Sequence, residues 1–257
     1  MPHLLRTGLA TALAALLIVP ATAAAQDNPD GWSGTGELGF STSRGNARSD
    51  NLNARLAFRK EDEQWRHRFS LAGLRARGEV TADFDGDGEP ETRLELTANR
   101  YQAAASSALK MNERASWVSA LRYERDDFSA YEWQGTVSIG YGYQYIDTDR
   151  VKLGATVGPG YRRARNASTL ETESEGILRG SVEYAHQLTA TTRLENDFLV
   201  ESGSDNTFIQ NDLGLSVAIN SSLALKAGFQ VRRNSEVDPG REKTDTLTTL
   251  NIVYTFF

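Results

Sequence analysis

One stretch near the middle of the chain, Tyr131–Tyr145, alternates between two kinds of residue. Every second position from Tyr131 is aromatic, aliphatic or glycine, and the positions between them are polar or glycine. A period of two places these two sets on opposite faces of a β-strand. A chain built around this stretch is therefore expected to form a sheet with one apolar and one polar face.

The apolar face of this strand is graded along its length. Aromatic rings stand at both ends, and Val137 and Ile139 lie between them. Tyr and Trp favour the interface between membrane and water, whereas branched aliphatic side chains favour hydrocarbon. A strand tilted by about 40° rises roughly 20–25 Å over such a segment, which is close to the apolar height of outer-membrane barrels. This grading disfavours a soluble secreted β-protein and predicts an aromatic girdle of Tyr131, Trp133, Tyr141, Tyr143 and Tyr145.

The first 25 residues have the features of a secretory signal peptide. Arg6 precedes an apolar run over residues 8–19, and alanines at 23–25 precede Gln26. The run is about a dozen residues long, against the roughly 20 that a membrane-spanning helix needs. We predict cleavage after Ala25, passage through the periplasm, and a mature domain of residues 26–257 in the cell outer membrane.

Charge and cysteine content exclude some functions. Removing the predicted signal peptide takes Arg6 from 28 basic residues, which leaves 27 against 34 acidic residues and a net charge of −7. This balance argues against a nucleic-acid partner, because phosphate binding needs a basic surface. The chain has no cysteine, so disulfide and thiol chemistry are excluded.

Eleven further alternating stretches bring the predicted number of strands to about twelve, in a single domain. The connections after even-numbered strands are short, whereas those after odd-numbered strands include long polar segments such as 79–91 and 234–243. Short turns on one side and longer loops on the other are typical of outer-membrane barrels with an even strand count. We therefore predict an all-β fold, a single antiparallel up-and-down transmembrane β-barrel that is monomeric.

Three local features refine this prediction. Gly45 and Asn46 indicate a tight hairpin turn between the first two strands. The fourth strand loses its alternation over residues 100–105, which predicts a β-bulge there. The last strand places Ile252, Tyr254 and Phe256 on one face, followed by Phe257. An aromatic residue at the end of such a strand resembles the signal read by the outer-membrane assembly machinery, so this machinery and outer-membrane lipids are the expected partners.

Several short motifs are spread over nearly the whole mature chain, among them Trp32-Ser-Gly, Gly140-Tyr-Gly-Tyr143, Gly158-Pro-Gly-Tyr161 and Lys243-Thr-Asp-Thr246. Together they resemble the YdiY-like salt-induced outer-membrane protein family, also described as domain of unknown function 481. The resemblance implies an outer-membrane barrel linked to envelope or salt stress. It supplies no catalytic residues.

Charged residues occupy the polar face of most predicted strands. A charge facing lipid near the bilayer midplane costs about 2–4 kcal/mol, so these residues are expected to face the barrel interior. Mixed signs on neighbouring strands fit either a structural network that fills the interior or a polar pore with weak ion preference. The predicted interior charges are Glu37, Arg55, Arg66, Arg68, Arg122, Glu124, Glu183, Arg193, Glu195, Asp197, Glu201, Lys226 and Arg232.

One acidic loop has the start of a calcium-binding pattern. Asp83, Asp85 and Asp87 alternate before Gly88, and carboxylates spaced in this way can converge on a hard cation. The twelfth position is Leu94 rather than the usual bidentate Glu. A solvated acidic loop is therefore the favoured interpretation, with weak Ca²⁺ binding as the alternative, and no cofactor is expected.

Other motifs give no clear sign of an enzyme. The G-x-G-x-x-G pattern at 34–39 lies inside an alternating strand, where a dinucleotide site would need a following helix. His67 and His186 fall on the apolar register, and neither G-x-S-x-G nor H-E-x-x-H occurs. We predict a non-enzymatic barrel, either structural or a narrow solute pore. The alternative is an outer-membrane lipid-modifying enzyme, which a Ser or Asp beside either histidine at the outer rim would favour.

Overall fold

The computed structural model describes residues 31–43, 49–237 and 242–256. In these residues, twelve antiparallel strands form one closed barrel in which each strand pairs with its neighbours in sequence and the first pairs with the last. The predicted all-β up-and-down architecture is confirmed. The predicted signal peptide (1–25), the turn at Gly45 and Asn46, and Phe257 lie outside the described residues. None of the described segments is a helix of the length and apolarity needed to cross a membrane.

The strands are 11 to 20 residues long. Their bounds are β1 Trp32–Ser43, β2 Ser49–Glu61, β3 Trp65–Ala82, β4 Glu91–Lys110, β5 Ala115–Asp126, β6 Tyr131–Asp147, β7 Val151–Asn166, β8 Thr172–Gln187, β9 Thr192–Ser202, β10 Thr207–Ala218, β11 Leu223–Asn234 and β12 Thr244–Thr255. Connections after even-numbered strands have three or four residues and form what we call the turn end. Connections after odd-numbered strands, up to nine residues long, form the loop end.

The barrel wall has its polarity reversed relative to a water-soluble protein. Large apolar side chains on its outer face are exposed, for example Leu71 at 57%, Ile139 at 55% and Leu250 at 63%. The largest fully buried side chains inside are mostly polar: Arg162, Gln134, Glu124, Glu201, Asn206 and the one apolar member, Phe208. Strand alternation separates the two sets, because successive side chains point to opposite faces.

The turns are encoded by short polar side chains that bind nearby backbone amides. The Asp62 carboxylate accepts hydrogen bonds from the amides of Gln64 and Trp65 at 2.9 and 2.7 Å. These amides hold the pKa of Asp62 below its usual value. Asn112 and Asn220 make the equivalent pair of bonds in two other turns. Such turns cap strand ends without help from the rest of the chain.

The fourth strand has a bulge, but not where the sequence predicted it. Pairing between β3 and β4 is continuous over 100–105, and the register instead shifts where Ala76 pairs with Ala98 and Arg77 with Leu96. Thr97 is therefore the extra residue. Residues 103–105 are all alanine, so their weak alternation reflects similar side chains on both faces rather than an interrupted ladder.

A second bulge changes the side on which Tyr131 lies. Tyr131 pairs with Asn166 and Trp133 with Arg165, which leaves Glu132 as the extra residue in β6. A bulge reverses the alternation beyond it. Tyr131 is consequently buried against Ala130 and does not belong to the predicted girdle.

The barrel closes through a short seam between β1 and β12. Only four positions pair there, from Thr35 with Thr255 to Leu38 with Ile252, whereas neighbouring strands elsewhere share ten or more. The Phe256 amide donates to the Gly34 carbonyl at 2.9 Å. A Cβ atom at Gly34 or Gly36 would lie 3.3 or 3.1 Å from the Phe256 ring. The G-x-G-x-x-G pattern therefore leaves space for an aromatic ring at the seam.

Candidate functional site

The barrel interior has two regions of different character. An open cavity of about 1230 Å³ occupies the part toward the turn end, and residues of the turn at 111–114 contribute to its lining. Beyond this cavity, toward the loop end, interior side chains are buried against one another. These two regions together form the candidate site, because any solute passing through the barrel has to cross both.

The structure places all thirteen predicted interior charges on the inner face of the wall. Nine of them line the cavity: Glu37, Arg55, Arg66, Arg68, Arg122, Glu183, Glu195, Asp197 and Lys226. Arg193 donates to Glu195 at 2.8 Å near the turn end. The remaining three, Glu124, Glu201 and Arg232, lie in the filled region, where Arg122 also contacts Glu201 from the edge of the cavity. The set is thus divided between two environments that the sequence does not distinguish.

Several of the charges around the cavity form ion pairs that differ in exposure. Arg68 on β3 donates to Glu183 on β8, and this contact spans the interior between strands far apart in the barrel order. Their side chains are 36% and 48% exposed. Lys226 contacts Glu37 with an Nζ–Oε1 distance of 2.8 Å. The Lys226 and Glu37 side chains are only 18% and 11% exposed. A pair as accessible as Arg68–Glu183 contributes about 0–1 kcal/mol, so it shapes the cavity lining more than it stabilises the fold.

The filled region is dominated by ion pairs that cross the barrel. We call it the constriction cluster and define it as Arg122, Glu124, Arg162, Glu201, Phe208 and Arg232. Arg122 on β5 donates to Glu201 on β9, with an Nε–Oε1 distance of 3.4 Å for one of its two bonds. Arg232 on β11 donates back to Glu124 on β5. All four of these side chains are at most 4% exposed.

Phe208 fills the space between these charges. Its ring centroid lies 4.6 Å from the Arg122 guanidinium carbon and 5.3 Å from that of Arg232, and the residue is fully buried. A cation over an aromatic face is attracted to it, most strongly when water is absent. The ring therefore attracts both guanidinium groups, whose like charges would otherwise repel each other in a region without water.

Arg162 connects the constriction cluster to the connections at the loop end. Its guanidinium donates to Glu175 on β8, with an Nε–Oε1 distance of 2.9 Å, and to the backbone carbonyl of Asn206. The Asn206 side-chain amide donates to Asn234 at 2.8 Å, and its oxygen accepts from the Ser235 hydroxyl at 3.2 Å. The segments 203–206 and 235–237 are in this way held against the cluster.

The side chains of the constriction cluster are shielded from water in this conformation. Water does not reach Glu201 or Phe208, which are 0% exposed. Arg162 Nη1, Arg232 Nε and Gln134 Oε1 are buried and have no hydrogen-bond partner among the described residues. Removing one member of such a buried ion pair leaves the other charge uncompensated and typically costs about 3–5 kcal/mol. The buried charges of the constriction cluster therefore depend on one another.

Four members of the predicted aromatic girdle lie near the turn-end or loop-end margins of β6. Tyr141 is exposed and packs edge-on against Trp117 at a centroid distance of 6.1 Å. Trp133 stacks on Tyr123, toward the loop end. Tyr143 and Tyr145 contact each other at 5.0 Å and line the mouth of the cavity, next to a second register shift in β6.

The three acidic residues of the β3–β4 loop are brought together on the surface. Carboxylate oxygens of Asp83, Asp85 and Asp87 lie within 4.8 Å of one another and are exposed. The Asp83 carboxylate accepts hydrogen bonds from the amides of Gly86 and Gly88 at 2.7 and 2.9 Å. These amides lower the pKa of Asp83. The loop's own backbone donors account for the cluster, and Ca²⁺ binding stays a prediction.

Both histidines among the described residues have a hydroxyl neighbour. His67 Nδ1 lies 3.0 Å from Ser107 Oγ, and His186 Nδ1 lies 3.0 Å from Tyr184 Oη. His67 follows Trp65 at the beginning of β3, which is at the turn end. Among the described residues, no carboxylate forms an ion pair with either ring. The contacts lack the orienting acid of a Ser-His-acid triad.

The sequence analysis missed Phe208, Arg162 and Glu175, although a signal was present for Phe208 and Arg162. Extending the alternation backward from Leu213 assigns position 208 to the interior, where a Phe is out of place in a water-filled pore. The outward phase of Tyr161 likewise turns Arg162 inward. Their convergence on one level of the barrel is not readable from any strand alone.

The family described as "Protein of unknown function, DUF481" matches residues 36–256. The "Uncharacterized protein YdiY" of Escherichia coli (strain K12) is 29% identical over 170 residues, which cover 62% of this chain and 63% of that protein. The alignment therefore spans less than two thirds of the relative's length.

Solved structures of other barrels also resemble the chain. The NanC porin covers 87% of this chain and 97% of its own, with 10% identity and a TM-score of 0.49. The COG4313 outer membrane channel from Pseudomonas putida F1 covers 87% and 94%, with 9% identity and a TM-score of 0.47. The translocator domain of the autotransporter NalP from Neisseria meningitidis covers 87% and 86%, with 10% identity and a TM-score of 0.44.

Proposed function

Because the chain belongs to the DUF481 family, whose description assigns no activity, we propose a function from the geometry alone. The protein is an outer-membrane barrel that acts as a narrow, non-enzymatic pore for small solutes or ions. Its constriction cluster keeps the pore closed in the conformation described above. The observation that carries this proposal is the complete burial of Glu201 and Phe208 directly beyond a cavity of about 1230 Å³.

The outer face of the wall supports the membrane location. Large apolar side chains are exposed around the barrel, on β3 and β6 as well as on β12. Soluble monomers rarely expose contiguous apolar patches beyond a few hundred Å². In a bilayer, these side chains contact lipid and not water, so their exposure carries no such cost. In this location the turn end faces the periplasm and the loop end faces the outside, following the usual asymmetry of such barrels.

The cavity and the cluster have complementary roles in the proposed pore. The cavity admits water and solutes from the periplasmic side, since its paired charges are accessible. The cluster closes the outer half. Its ion pairs join β5 to β9 and β11, so opening requires these contacts to separate together. The pore is therefore expected to open rarely and to show small unitary currents.

Planar-bilayer conductance tests the proposal. We expect few and brief openings from the wild-type protein. Phe208→Ala should raise open probability at least about tenfold, because it removes the ring that holds Arg122 and Arg232 together. Phe229→Ala is the matched control, since that ring lies on the lipid-facing side at 43% exposure. A folded Phe208→Ala protein that is silent at all voltages would leave only a structural role.

The partners and the physiological setting belong to the same proposal. We expect a monomer surrounded by outer-membrane lipids, with no nucleic-acid partner and no cofactor, and with β12 presented to the outer-membrane assembly machinery. The link to envelope or salt stress would be tested by growth of a deletion strain at high salt. Growth equal to that of the parent strain under envelope stress and at high salt would contradict the proposed link to stress.

The alternative, a lipid-modifying enzyme, has one contact in its favour. Ser107 Oγ lies 3.0 Å from His67 Nδ1 on the wall. A nucleophilic serine needs such a neighbour as its base. Incubating the purified protein with phospholipid and lipopolysaccharide decides the matter, with Ser107→Ala as control. We expect no product from either protein; a product lost only in Ser107→Ala would establish the enzyme.

A further inference from the structure

The outer wall of the barrel contains an apolar groove on the side formed by β3 to β7. The groove has a volume of about 740 Å³. Its floor is formed by Ala103, Ala105 and Gly135, and larger side chains such as Leu71 and Tyr123 stand beside it. The groove runs along the wall toward the loop end. It is therefore a depression in an otherwise continuous lipid-facing surface.

The depth of this groove is not required by the protein's own packing. A Cβ atom at Gly135 would meet its nearest neighbours, in Arg122 and Tyr123, only at 3.9 Å. That distance is an ordinary van der Waals contact, so a larger side chain would project into free space. In the apolar part of a membrane, the side chains around this space lack contact partners unless an apolar group occupies it.

The end of the groove nearest the loop end is basic. Arg163 on β7 pairs with Gly135 in the sheet and is part of the groove lining. Arg125 and Arg165 pair with Trp133 from its two sides. All three arginines lie on the outer face, at the level where a membrane-spanning barrel meets the headgroups.

The bulge at Glu132 brings two of these arginines together. The Glu132 carboxylate lies 3.3 Å from Arg125 and 3.5 Å from Arg165. Arg125 also contacts Asp127 at 3.4 Å, and Arg165 donates to the Leu170 carbonyl at 3.2 Å. The two arginine side chains remain 53% and 39% exposed, and each guanidinium has more N–H donors than these contacts use. No ion pair to Arg163 occurs among the described residues. Arginine binds phosphate through two parallel hydrogen bonds, so this margin is complementary to a phosphorylated headgroup.

We propose that this surface docks the phosphorylated glycolipid of the outer leaflet, with an acyl chain in the groove and a phosphate on Arg163, Arg125 and Arg165. The inference rests on the proposed outer-membrane location, because the basic margin lies at the end assigned to the outside. Charge complementarity selects an anionic headgroup, and the apolar groove directly beneath it selects a lipid over a free phosphate.

The test uses the full-length mature protein in phospholipid nanodiscs and native mass spectrometry. The probes are bis-phosphorylated lipid A, its dephosphorylated form and phosphatidylglycerol. We expect Arg163→Gln to reduce lipid A retention about fivefold, as loss of one juxtamembrane cation does. Gly135→Leu should reduce it by filling the groove. Arg233→Gln is the matched control, an exposed rim arginine on β11 that contacts Thr244.

Each outcome bears on the inference. The inference is supported if lipid A retention falls in Arg163→Gln and in Gly135→Leu but not in Arg233→Gln. Dephosphorylated lipid A must also bind weakly to the wild-type protein. Equal retention by all three variants overturns it, and so does preference for phosphatidylglycerol. Failure of the wild-type protein to insert into the bilayer would instead overturn the proposed function, which vesicle flotation detects separately.

Discussion

At the level of single residues, the packing of the filled part of the interior depends on charged side chains that water does not reach. Glu201 accepts hydrogen bonds from Arg122 and from Thr136, the latter at 3.1 Å, and Arg179 lies 3.5 Å from it. One carboxylate thus balances two guanidinium groups. Neutralising it leaves like charges adjacent in a dry region, which is the expensive case for a buried ion pair.

The variant Glu201→Gln is therefore expected to destabilise the barrel by about 3–5 kcal/mol. Urea unfolding in lipid vesicles measures this. Glu195→Gln is the matched control, because Glu195 and its partner Arg193 are 40% and 45% exposed. That pair should contribute about 0–1 kcal/mol. Equal losses from the two variants would contradict the division between a dry cluster and a hydrated cavity.

A second prediction at this scale concerns the acidic loop. Amides of Gly86 and Gly88 lower the pKa of Asp83 from its usual 3.8. A lowered pKa means that the contribution to loop order is complete above 3.8 and is lost as the pH falls through the folded-state value below it. The protection of the Gly86 and Gly88 amides, taken as the intrinsic exchange rate at each pH divided by the observed rate, should be constant from pH 6 to about 4 and should fall at lower pH.

Asp83→Asn is the control for this pH dependence, because an uncharged side chain does not titrate. We expect fast exchange at Gly86 and Gly88 in that variant at every pH. Unchanged protection of the wild-type amides down to about pH 2 would contradict the prediction. A calcium titration of the same amides at neutral pH tests the remaining prediction that Asp83, Asp85 and Asp87 bind Ca²⁺ weakly.

At the level of elements, alternation determines which side chains of each strand contact lipid. A bulge locally exchanges the outward-facing and inward-facing positions. Glu132 is the clearest example, because one extra residue turns Tyr131 inward and places a carboxylate between Arg125 and Arg165. A period-two pattern read through this position assigns Tyr131 to the wrong face. The error follows from local hydrogen-bond geometry, which the side-chain pattern does not encode.

The seam between β1 and β12 leads to a prediction about assembly. With four paired positions, this seam has less backbone hydrogen bonding than the other strand pairs, and the Phe256 ring packs against Phe58 at 6.4 Å. Phe256→Ala should slow barrel closure in folding assays that follow gel mobility, and should cost about 1–2 kcal/mol of stability. Phe229→Ala, on the outer face of β11, should leave the closure rate near that of the wild type. Equal closure rates for the two variants would show that the seam does not limit assembly.

At the level of the whole molecule, the cavity toward the turn end is accessible to water, whereas the constriction cluster is not. Its chain has no cysteine, so single-cysteine variants report accessibility without background. Ser181 lines the cavity, Ser138 is 9% exposed in the filled region, and Thr169 lies in an exposed connection at the loop end. These three positions sample the two interior regions and the outside.

A membrane-impermeant maleimide should label Thr169→Cys in intact cells, but not Ser181→Cys or Ser138→Cys. After the outer membrane is permeabilised, we expect Ser181→Cys to react at least about tenfold faster than Ser138→Cys, since only the thiolate of an accessible residue is attacked. Rapid labelling of Ser181→Cys in intact cells would show that the constriction cluster does not close the barrel.

Much of this architecture could be predicted because it is local. Strand number, turn positions and the inward phase of charges such as Arg122 and Glu183 follow from a period of two and from residues such as Asp62, Asn112 and Asn220 in the turns. The family resemblance was also readable from motifs along the chain. The placement of the bulge in β4 was not, since alanine on both faces conceals the phase over 103–105.

The sequence by itself therefore determined that this chain forms a closed barrel of twelve strands with apolar residues outside and charged residues inside, because alternation is fixed by the strand backbone. Only the tertiary structure decided which charges meet. Arg122 reaches Glu201 and Arg232 reaches Glu124 across the interior, over 79 and 108 residues of sequence. Such contacts depend on strand tilt, bulges and closure, which set the height of every side chain together and belong to no single strand.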